Sequence, residues 1–195
     1  MVPWKSNGRF GVTYVPILPP AKGKKRREAG PAVPQVSPAE LAQQAVAQLQ
    51  LPTPIIRMNP DEDFAQVVRV PTWMWMPAAS WRPVSETVAV PGVSVTATAR
   101  PRRAVWSMGD GASVTCEGPG TPYSSRFRAD AQSPDCGHVY RRASLAEPGG
   151  KYRVTVTVVW DVEWSGGGQS GTEHGLSSTA ERHVLVDEVQ AVVAR

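Results

Sequence analysis

The sequence predicts an all-β domain, a two-layer β-sandwich over residues 66–193, preceded by a disordered tail and one short helix. Three observations predict this fold. From about residue 66 the apolar residues recur at every second position, turn residues separate short segments, and only one segment of the chain carries a helical pattern. The 195 residues are enough for one such domain with its tails.

The clearest strand is predicted over residues 152–164, where apolar side chains alternate with polar ones so that one face is buried. Shorter segments with similar patterns are predicted as strands at 68–76, 93–100 and 103–108. Pro71 indicates an edge strand or a break in the first of these. The closing strand is predicted over 179–193, with a β-bulge near Asp187–Glu188 because the apolar phase slips there.

One helix is predicted over residues 37–51. Ser37 is a good N-cap, Pro38 suits the first helical position, and Glu40 completes a capping box. A narrow apolar stripe follows, formed by Leu41, Ala42, Ala45, Val46 and Leu49. A helix of about 13 residues is marginal in isolation. We therefore expect it either to dock weakly on the sandwich or to remain a spacer.

Residues 1–36 are predicted to form a disordered tail, because they are rich in Pro and Gly and carry a basic cluster at 22–27. Residues 1–35 hold seven Lys/Arg and one acidic residue, whereas the rest of the chain holds fourteen and sixteen. The net charge of +4 therefore comes from the tail, and the folded part is not a basic nucleic-acid platform. The tail is either a solvated linker or a segment that contacts an anionic membrane or wall polymer.

Targeting signals are not visible in the sequence. No stretch approaches the roughly 20 apolar residues of a membrane span, and no apolar run after a basic start indicates a secretory signal. If the protein is exported, we expect its targeting segment to lie upstream of Met1 or the start to be assigned differently.

Three ordered motifs lie between residues 104 and 164. The first, Val105–Gly111, indicates a strand and a tight turn in which Gly109 and Gly111 allow positive φ and Asp110 binds the turn backbone. The sequences His138–Val139–Tyr140 and Gly150–Val158 follow. This series resembles the PKD (polycystic kidney disease) domain, an immunoglobulin-like β-sandwich with a Trp-x-x-Gly-Asp-Gly turn, a His-x-Tyr and a Gly-x-Tyr-x-Val-x-Val strand.

The resemblance implies structural roles for the motif residues. Trp106 would fill the core, Asp110 would stabilise the turn, and His138 would make a structural hydrogen bond. The remaining two, Tyr140 and Tyr152, would pack between the sheets. The sequence departs from the family at Met108, where Phe is usual. It also has an unusually long loop over 112–137.

The two cysteines, Cys116 and Cys136, lie towards the ends of this loop. A cytosolic pair is usually two free thiols, and an exported pair is usually a bridge. A bridge here would enclose about 20 residues and contribute roughly 3 kcal/mol on the chain-entropy model. We expect the bridge, with two free cysteines as the alternative.

A looser resemblance over residues 66–193 is to uncharacterised exported proteins of actinobacteria. The segments that carry it are 73–76, 118–123 and 133–138. It implies that the protein is secreted or at the cell surface, and it implies no activity.

The sequence carries no recognisable catalytic or cofactor set. Gly166-x-Gly168-x-x-Gly171 formally matches a dinucleotide fingerprint, but no helix pattern follows it, so we interpret it as a flexible hairpin loop. Asp161 and Glu163 share a strand face, although a pair on one strand is more often a solvated face than a catalytic pair. The three histidines form no metal-binding motif. We therefore expect no metal, no cofactor and no enzymatic activity.

The tryptophans are the best binding candidates. Trp73 and Trp75 point to one face of their strand, Met74 and Met76 point to the other, and Trp81 follows in a Pro-rich turn. Since a two-layer sandwich buries one face of a strand, one pair is outside or beneath a loop or helix. Exposed Trp side chains could stack on sugar rings, although core packing is the more common role.

The sequence thus predicts a non-enzymatic extracellular interaction or spacer module that binds protein or cell-wall polysaccharide. The alternative is an accessory domain of a cell-wall hydrolase, or a small hydrolase, which requires titratable groups clustered in a cleft. The candidates for that cluster are His138, His174, Asp161 and Glu163. A third hypothesis is tethering to an anionic surface through the basic tail.

Overall fold

The computed structural model describes residues 4–6, 9–11, 36–61 and 63–188. The chain divides into two compact units, Met1–Gln35 and Val36–Arg195. In the first, β1 (Trp4–Ser6) and β2 (Arg9–Gly11) form an antiparallel hairpin. The rest of the tail predicted over 1–36, except Val36, lies outside the described residues, and so does the end of the predicted closing strand.

The second unit is mostly β-structure with one short α-helix, as the sequence predicts. Its elements in chain order are α1 (Pro38–Gln48), β3 (Arg57–Asn59), β4 (Gln66–Val67), β5 (Pro71–Trp75), β6 (Val84–Val90), β7 (Val93–Ser107), β8 (Ser113–Cys116), β9 (Gly137–Val139), β10 (Tyr152–Gly166), β11 (Gln169–Val184) and β12 (Val186–Asp187).

The main sheet is antiparallel and has the strand order β11-β10-β7-β6, with β8 beside the second half of β7. A smaller antiparallel sheet has the order β3-β5-β9, and β12 pairs in parallel with β4. One core cluster joins buried side chains from the inner face of the main sheet to buried side chains of the smaller sheet. Its bulkiest members include Met58, Met74, Trp106, Tyr140 and Trp160.

β7 is one continuous strand where the sequence predicts two. Arg102 is the extra residue of a β-bulge, because β10 pairs Val159 with Arg103 and Trp160 with Pro101. The bulge reverses the phase of burial along β7, so the buried residues are Val95, Ala97 and Ala99 before it and Ala104 and Trp106 after it. A phase reversal in one strand therefore looks like a strand break in the sequence.

The closing strand also differs from the prediction. β11 begins at Gln169 and has a β-bulge at Gly175, where φ is 91°. Gly175 is unpaired because its neighbours His174 and Leu176 pair with the consecutive residues Asp161 and Trp160 of β10. The bulge predicted near Asp187–Glu188 is wrong. The chain leaves the main sheet after β11, and Val186 and Asp187 of β12 pair with β4 instead.

The strand predicted over 68–76 begins only at Pro71, the first residue of β5. Arg69, two residues before Pro71, has a φ of 68°, which ends any extended segment there. β5 lies between β3 and β9, so the edge-strand interpretation of Pro71 is wrong and the break is correct. A proline is tolerated at this position because the first residue of a strand needs no ladder hydrogen bond.

The helix docks on the main sheet, which is the first of the two expected alternatives. Ser37 and Glu40 form the predicted capping box, with Glu40 N donating to Ser37 Oγ at 3.2 Å and Ser37 N donating to the Glu40 carboxylate at 2.8 Å. The apolar stripe is buried at Leu41, Ala42 and Ala45. It packs mainly on the ends of β6 and β7 and also contacts β10.

Candidate binding site on the outer sheet face

A groove of about 420 Å³ lies on the main sheet where β7, β10 and β11 run side by side. Five of its nine lining residues are Ser or Thr, so the groove offers hydroxyl groups that both donate and accept hydrogen bonds. The lining residues are Thr96, Thr98, Arg100, Glu163, Trp164, Ser165, Ser170, Gly171 and Thr172.

Strand alternation places these hydroxyls on the outer face. In β7 the intervening Ala97 and Ala99 are fully buried, so the residues between them point away from the core. The registers place Glu163 between Thr98 of β7 and Thr172 of β11. Residues far apart in the sequence therefore form one surface.

Hydrogen bonds between hydroxyls fix one side of the groove. Thr87 Oγ1 lies 2.8 Å from Thr96 Oγ1, and Ser85 Oγ lies 2.9 Å from Thr98 Oγ1. Both pairs are directly opposite across β6 and β7. Cross-strand pairs of this kind stabilise the sheet and restrain the threonine rotamers.

The groove also carries one cation and one anion, Arg100 and Glu163, both exposed. Among residues 36–61 and 63–188, neither side chain has an ion-pair or hydrogen-bond partner. A guanidinium group offers five N–H donors and a carboxylate offers two acceptor oxygens. Both groups are therefore free to bind a polar ligand.

A charged network adjoins the groove. Arg102 Nη1 lies 3.1 Å from Asp161 Oδ2, and His174 Nδ1 lies 3.3 Å from Asp161 Oδ1. The hydrogen bond with His174 is the largest cause that lowers the pKa of Asp161, and Arg102 lowers it further. The bulge at Arg102 and the bulge at Gly175 both lie next to Asp161, so two local irregularities bring these three side chains together.

Three of the four residues that a hydrolase would need share this outer face: Asp161, Glu163 and His174. His138 lies elsewhere, on β9, with its Nε2 at 2.8 Å from Asp110 Oδ2. The shared face is open to water, with 36% of the Asp161 side chain and 71% of the His174 side chain exposed. The cluster exists, but the described residues form no cleft that removes it from solvent.

Trp73 does not form an exposed binding surface, so its assignment as a binding residue is wrong, whereas the alternative that it lies beneath a loop is correct. Only 1% of it is exposed. It lies beneath Tyr123 and Phe127, with ring centroids 5.3 and 4.6 Å away, and its Nε1 donates to the carbonyl of Ala131 at 2.7 Å. The cause is the long loop, which folds over the face of β5 opposite the main sheet.

The other two candidate tryptophans, Trp75 and Trp81, are half-buried. Trp81 packs against the core. The loop backbone reaches Trp75 at Gly120, where an added Cβ would lie 2.3 Å from the Met74 carbonyl oxygen and 2.8 Å from Trp75 Cα. Trp73, Trp75 and Trp81 therefore form no shared exposed aromatic platform.

The predicted disulfide joins Cys116 to Cys136, so the free-thiol alternative is wrong. Asp135 also fixes the loop, because it accepts hydrogen bonds from the backbone N–H of Thr121 at 3.0 Å and from its hydroxyl at 2.9 Å. Two backbone bonds attach the loop to β5, from Met74 N to the Cys136 carbonyl and from Met76 N to the Pro119 carbonyl.

The motif residues lie in the core and in one turn. Asp110 accepts a hydrogen bond from Ala112 N at 3.0 Å and faces His138. Tyr140 stacks on Tyr152 with ring centroids 5.4 Å apart, and burial raises the pKa of both phenols. None of these groups faces the groove.

Of the remaining motif positions, Trp106 and Met108 are internal, whereas Gly109 and Gly111 are exposed in the turn. Trp106, expected in the core, is fully buried, and so is Met108, where the PKD pattern usually has Phe. Gly109 has a φ of 81° and lies so close to Tyr152 and Arg153 that a Cβ would approach within 2.9 Å of the Arg153 backbone. Gly111 also has a positive φ, of 92°, as the turn requires.

The glycine fingerprint lies in a tight hairpin. Gly167 and Gly168, with φ of 55° and 76°, form the two-residue turn between β10 and β11, and strand residues follow directly. The expected hairpin is correct, but a flexible loop between Trp164 and Thr179 is wrong, because β10 and β11 occupy that range apart from the turn. Across residues 36–61 and 63–188, no helix follows the turn and no group of three metal-ligating side chains is present. Within the described segments, no helix has the length and apolarity of a membrane span.

The groove itself was missed by sequence reasoning. Alternating Thr96, Thr98 and Arg100 resemble any solvated strand face, and Glu163 was a candidate only for a catalytic cluster and not for a binding groove. A usable signal does exist. The two-residue Gly turn fixes the β10–β11 register, which places Ser170 and Thr172 beside Ser165 and Glu163.

Comparison of the chain with protein-family models, curated proteins and solved structures found no match. The resemblance to the PKD domain remains a prediction carried by its three motifs. Function is inferred from the chemistry of the side chains that the fold brings together.

Proposed function

We propose that this protein is a non-enzymatic extracellular interaction module with a PKD-like, immunoglobulin-type sandwich, and that it binds a cell-wall polysaccharide through the groove on its outer sheet face. One observation carries the proposal: five hydroxyl side chains and the unpaired Arg100 and Glu163 line one groove on an open sheet. This moves the binding site from the tryptophans to the opposite side of the main sheet from the core.

The chemistry of the groove fits a polyhydroxylated ligand. Sugar hydroxyls donate and accept hydrogen bonds, and the Ser and Thr side chains do both. Arg100 can donate to two neighbouring sugar oxygens, and Glu163 can accept from two sugar hydroxyls. Sites for small molecules usually enclose most of their ligand, whereas an open sheet face suits one stretch of a long polymer.

Two further features support an extracellular sandwich. The Cys116–Cys136 bridge is of the kind that forms in oxidising compartments. The core joins side chains of two sheets and contains Trp106 and the Tyr140–Tyr152 stack, as a PKD-like arrangement would require.

The test is retention of the protein on insoluble polysaccharides, with peptidoglycan, chitin, cellulose and xylan as the panel. We expect Arg100→Ala and Glu163→Gln each to reduce retention about tenfold, which corresponds to the loss of one charged hydrogen-bonding group. The controls are Arg153→Ala and Glu181→Gln, which remove the same chemical groups from positions on β10 and β11 that lie outside the groove.

The controls should be retained like the parent protein. Equal retention of the groove variants and the parent would refute the groove. Absence of retention on every polymer would refute polysaccharide binding and would favour a protein ligand.

One observation favours the hydrolase alternative: Asp161, Glu163 and His174 lie close together on the face that carries the groove. It is tested by measuring release of reducing sugar from the same four polymers. Our proposal predicts no release. Release that disappears in Asp161→Asn or Glu163→Gln would replace the proposal with an enzymatic function.

A further inference from the structure

β11 is a long edge strand. Its 16 residues pair with β10 on one side, and within the described ranges no strand pairs with its other side. Most of its residues are exposed. An edge of this length presents a row of backbone N–H and C=O groups to which a further strand can be added.

Edge strands are often protected by charges and bulges, and β11 has both. Its ionisable residues are Glu173, His174, Glu181, Arg182 and His183, and its bulge is at Gly175. Protection of this kind works when the charges of an approaching strand are repelled. The positions of the charges therefore decide whether a second copy of β11 is excluded or accepted.

The sheet geometry limits how two copies of β11 can pair. Residues directly opposite in an antiparallel pair point to the same face. At Gly175 the alternation of side chains between the two faces shifts by one residue. Gly175 is therefore left unpaired when residues of two copies are placed opposite each other on the same face. With Ser178 of both copies on the two-fold axis, Glu173 lies opposite Arg182 of the second copy and His174 lies opposite Glu181 of the second copy.

This register gives four complementary contacts, since each of the two pairs occurs twice. Moving the axis to Thr179 places His174 opposite His183. Moving it to Ser177 places Arg182 opposite Gly171 and Glu181 opposite Thr172. The Ser178 register is thus the one of these three in which both acidic residues lie opposite basic side chains.

The existing contacts of Glu173 and Arg182 are compatible with pairing, whereas His174 and Glu181 already bind Asp161 and Arg153 within their own copy. Glu173 has no ion-pair or hydrogen-bond partner within residues 36–61 and 63–188. Arg182 contacts Asp63, and 35% of its side chain remains exposed. A second copy would therefore supply Glu173 with its partner and extend the Arg182–Asp63 pair into a network.

We infer that β11 pairs antiparallel with β11 of a second copy, about a two-fold axis at Ser178, and joins two main sheets into one. Because opposite residues share a face, the outer faces of both copies point the same way. The pairing stands independently of what the groove binds. If the grooves bind a polymer, two of them on one face would bind it with higher avidity.

Sedimentation equilibrium of the full chain tests the pairing. At about 0.1 mM we expect a species of twice the 21.0 kDa chain mass. Glu173→Arg and Arg182→Glu each place like charges opposite one another twice, and each should weaken self-association about tenfold or more. The double variant restores opposite charges and should return to within about threefold of the parent. Glu117→Arg makes the same charge change at an exposed position outside β11 and should have no effect.

A cysteine variant tests the register directly. Ser178→Cys places two thiols opposite each other at the axis, where neighbouring Cα atoms of paired strands are about 4.5–5.5 Å apart, within reach of a disulfide. Mild oxidation should yield a covalent dimer. Ser170→Cys lies far from the axis on the same strand and should stay uncrosslinked. A monomeric parent, single reversals without effect, a double variant without rescue, or equal crosslinking of both cysteine variants would each overturn the inference.

Discussion

Phe127 covers Trp73, with ring centroids 4.6 Å apart, although 54 positions separate the two residues in the sequence. Phe127 is 38% exposed, whereas Trp73 is almost completely buried. The loop closed by Cys116–Cys136 therefore acts as a cover over the second face of β5. The contacts between this loop and β5 should therefore contribute to the stability of the protein.

Truncating Phe127 tests this cover. Phe127→Ala should destabilise the protein by about 1–2 kcal/mol, because it removes a partly buried ring from Trp73 and exposes the indole. Urea unfolding gives the free energy, and the tryptophan emission should shift to longer wavelength. Phe64→Ala is the matched control, since Phe64 is 70% exposed and should cost little. Equal effects of the two substitutions would contradict the cover.

Removing the disulfide should loosen the same loop. A Cys116→Ser/Cys136→Ser variant loses the constraint on a chain segment of sequence separation 20, worth roughly 3 kcal/mol on the chain-entropy model. Trp73 should become accessible to acrylamide quenching before global unfolding. A double variant that unfolds at the same urea concentration as the parent, with Trp73 still protected, would show that the backbone contacts of the loop are sufficient.

Gly120 is the point at which the loop meets β5 most closely. Gly120→Ala should destabilise the protein by at least about 2 kcal/mol, because its φ is 85° and the new Cβ would meet the Met74 carbonyl at 2.3 Å. Gly118→Ala in the same loop is the control, since nothing lies within 4 Å of its Cβ position. Thermal unfolding of both variants measures the difference. A tolerated Gly120→Ala would mean that the loop lies farther from β5.

Local patterns predicted part of this fold. The capping box at Ser37–Glu40 and the alternation over 152–164 depend on neighbouring residues only, and both are visible in the sequence. The number of cysteines and the resemblances were enough to predict the bridge. The burial of Trp73 required knowledge of where a 20-residue loop folds, which no local pattern contains.

The groove depends on register across three strands. The bulge at Arg102 shifts β7 by one residue relative to β10. The strand pairing continues on both sides of the bulge, and no pattern in the sequence marks the position of the shift. Without that shift, the side chains that face Asp161 and Glu163 cannot be assigned. The faces of the groove residues on β7 and β10 were therefore predictable, whereas their neighbours on that face, including Ser170 and Thr172 of β11, were not.

The Asp161 network gives a prediction on pH. The hydrogen bond with His174 and, to a smaller extent, the contact with Arg102 hold the pKa of Asp161 in the folded protein below its ordinary value. A carboxyl group with a lowered folded pKa stabilises the protein at neutral pH, and that stabilisation is lost as the pH falls through the folded pKa. The stability difference between the parent and Asp161→Asn should therefore be present at pH 7 and shrink below about pH 4.

NMR titration of the Asp161 carboxyl carbon separates the two partners. His174→Ala and Arg102→Ala should each raise the pKa of Asp161 towards its ordinary value, with the larger change in His174→Ala because that hydrogen bond is the largest cause of the shift. Arg153→Ala removes an arginine from the same strand face and should leave the pKa of Asp161 unchanged, since Arg153 pairs with Glu181. If the pKa of Asp161 is the same in the parent, His174→Ala and Arg102→Ala, the two bulges do not bring these side chains together in solution.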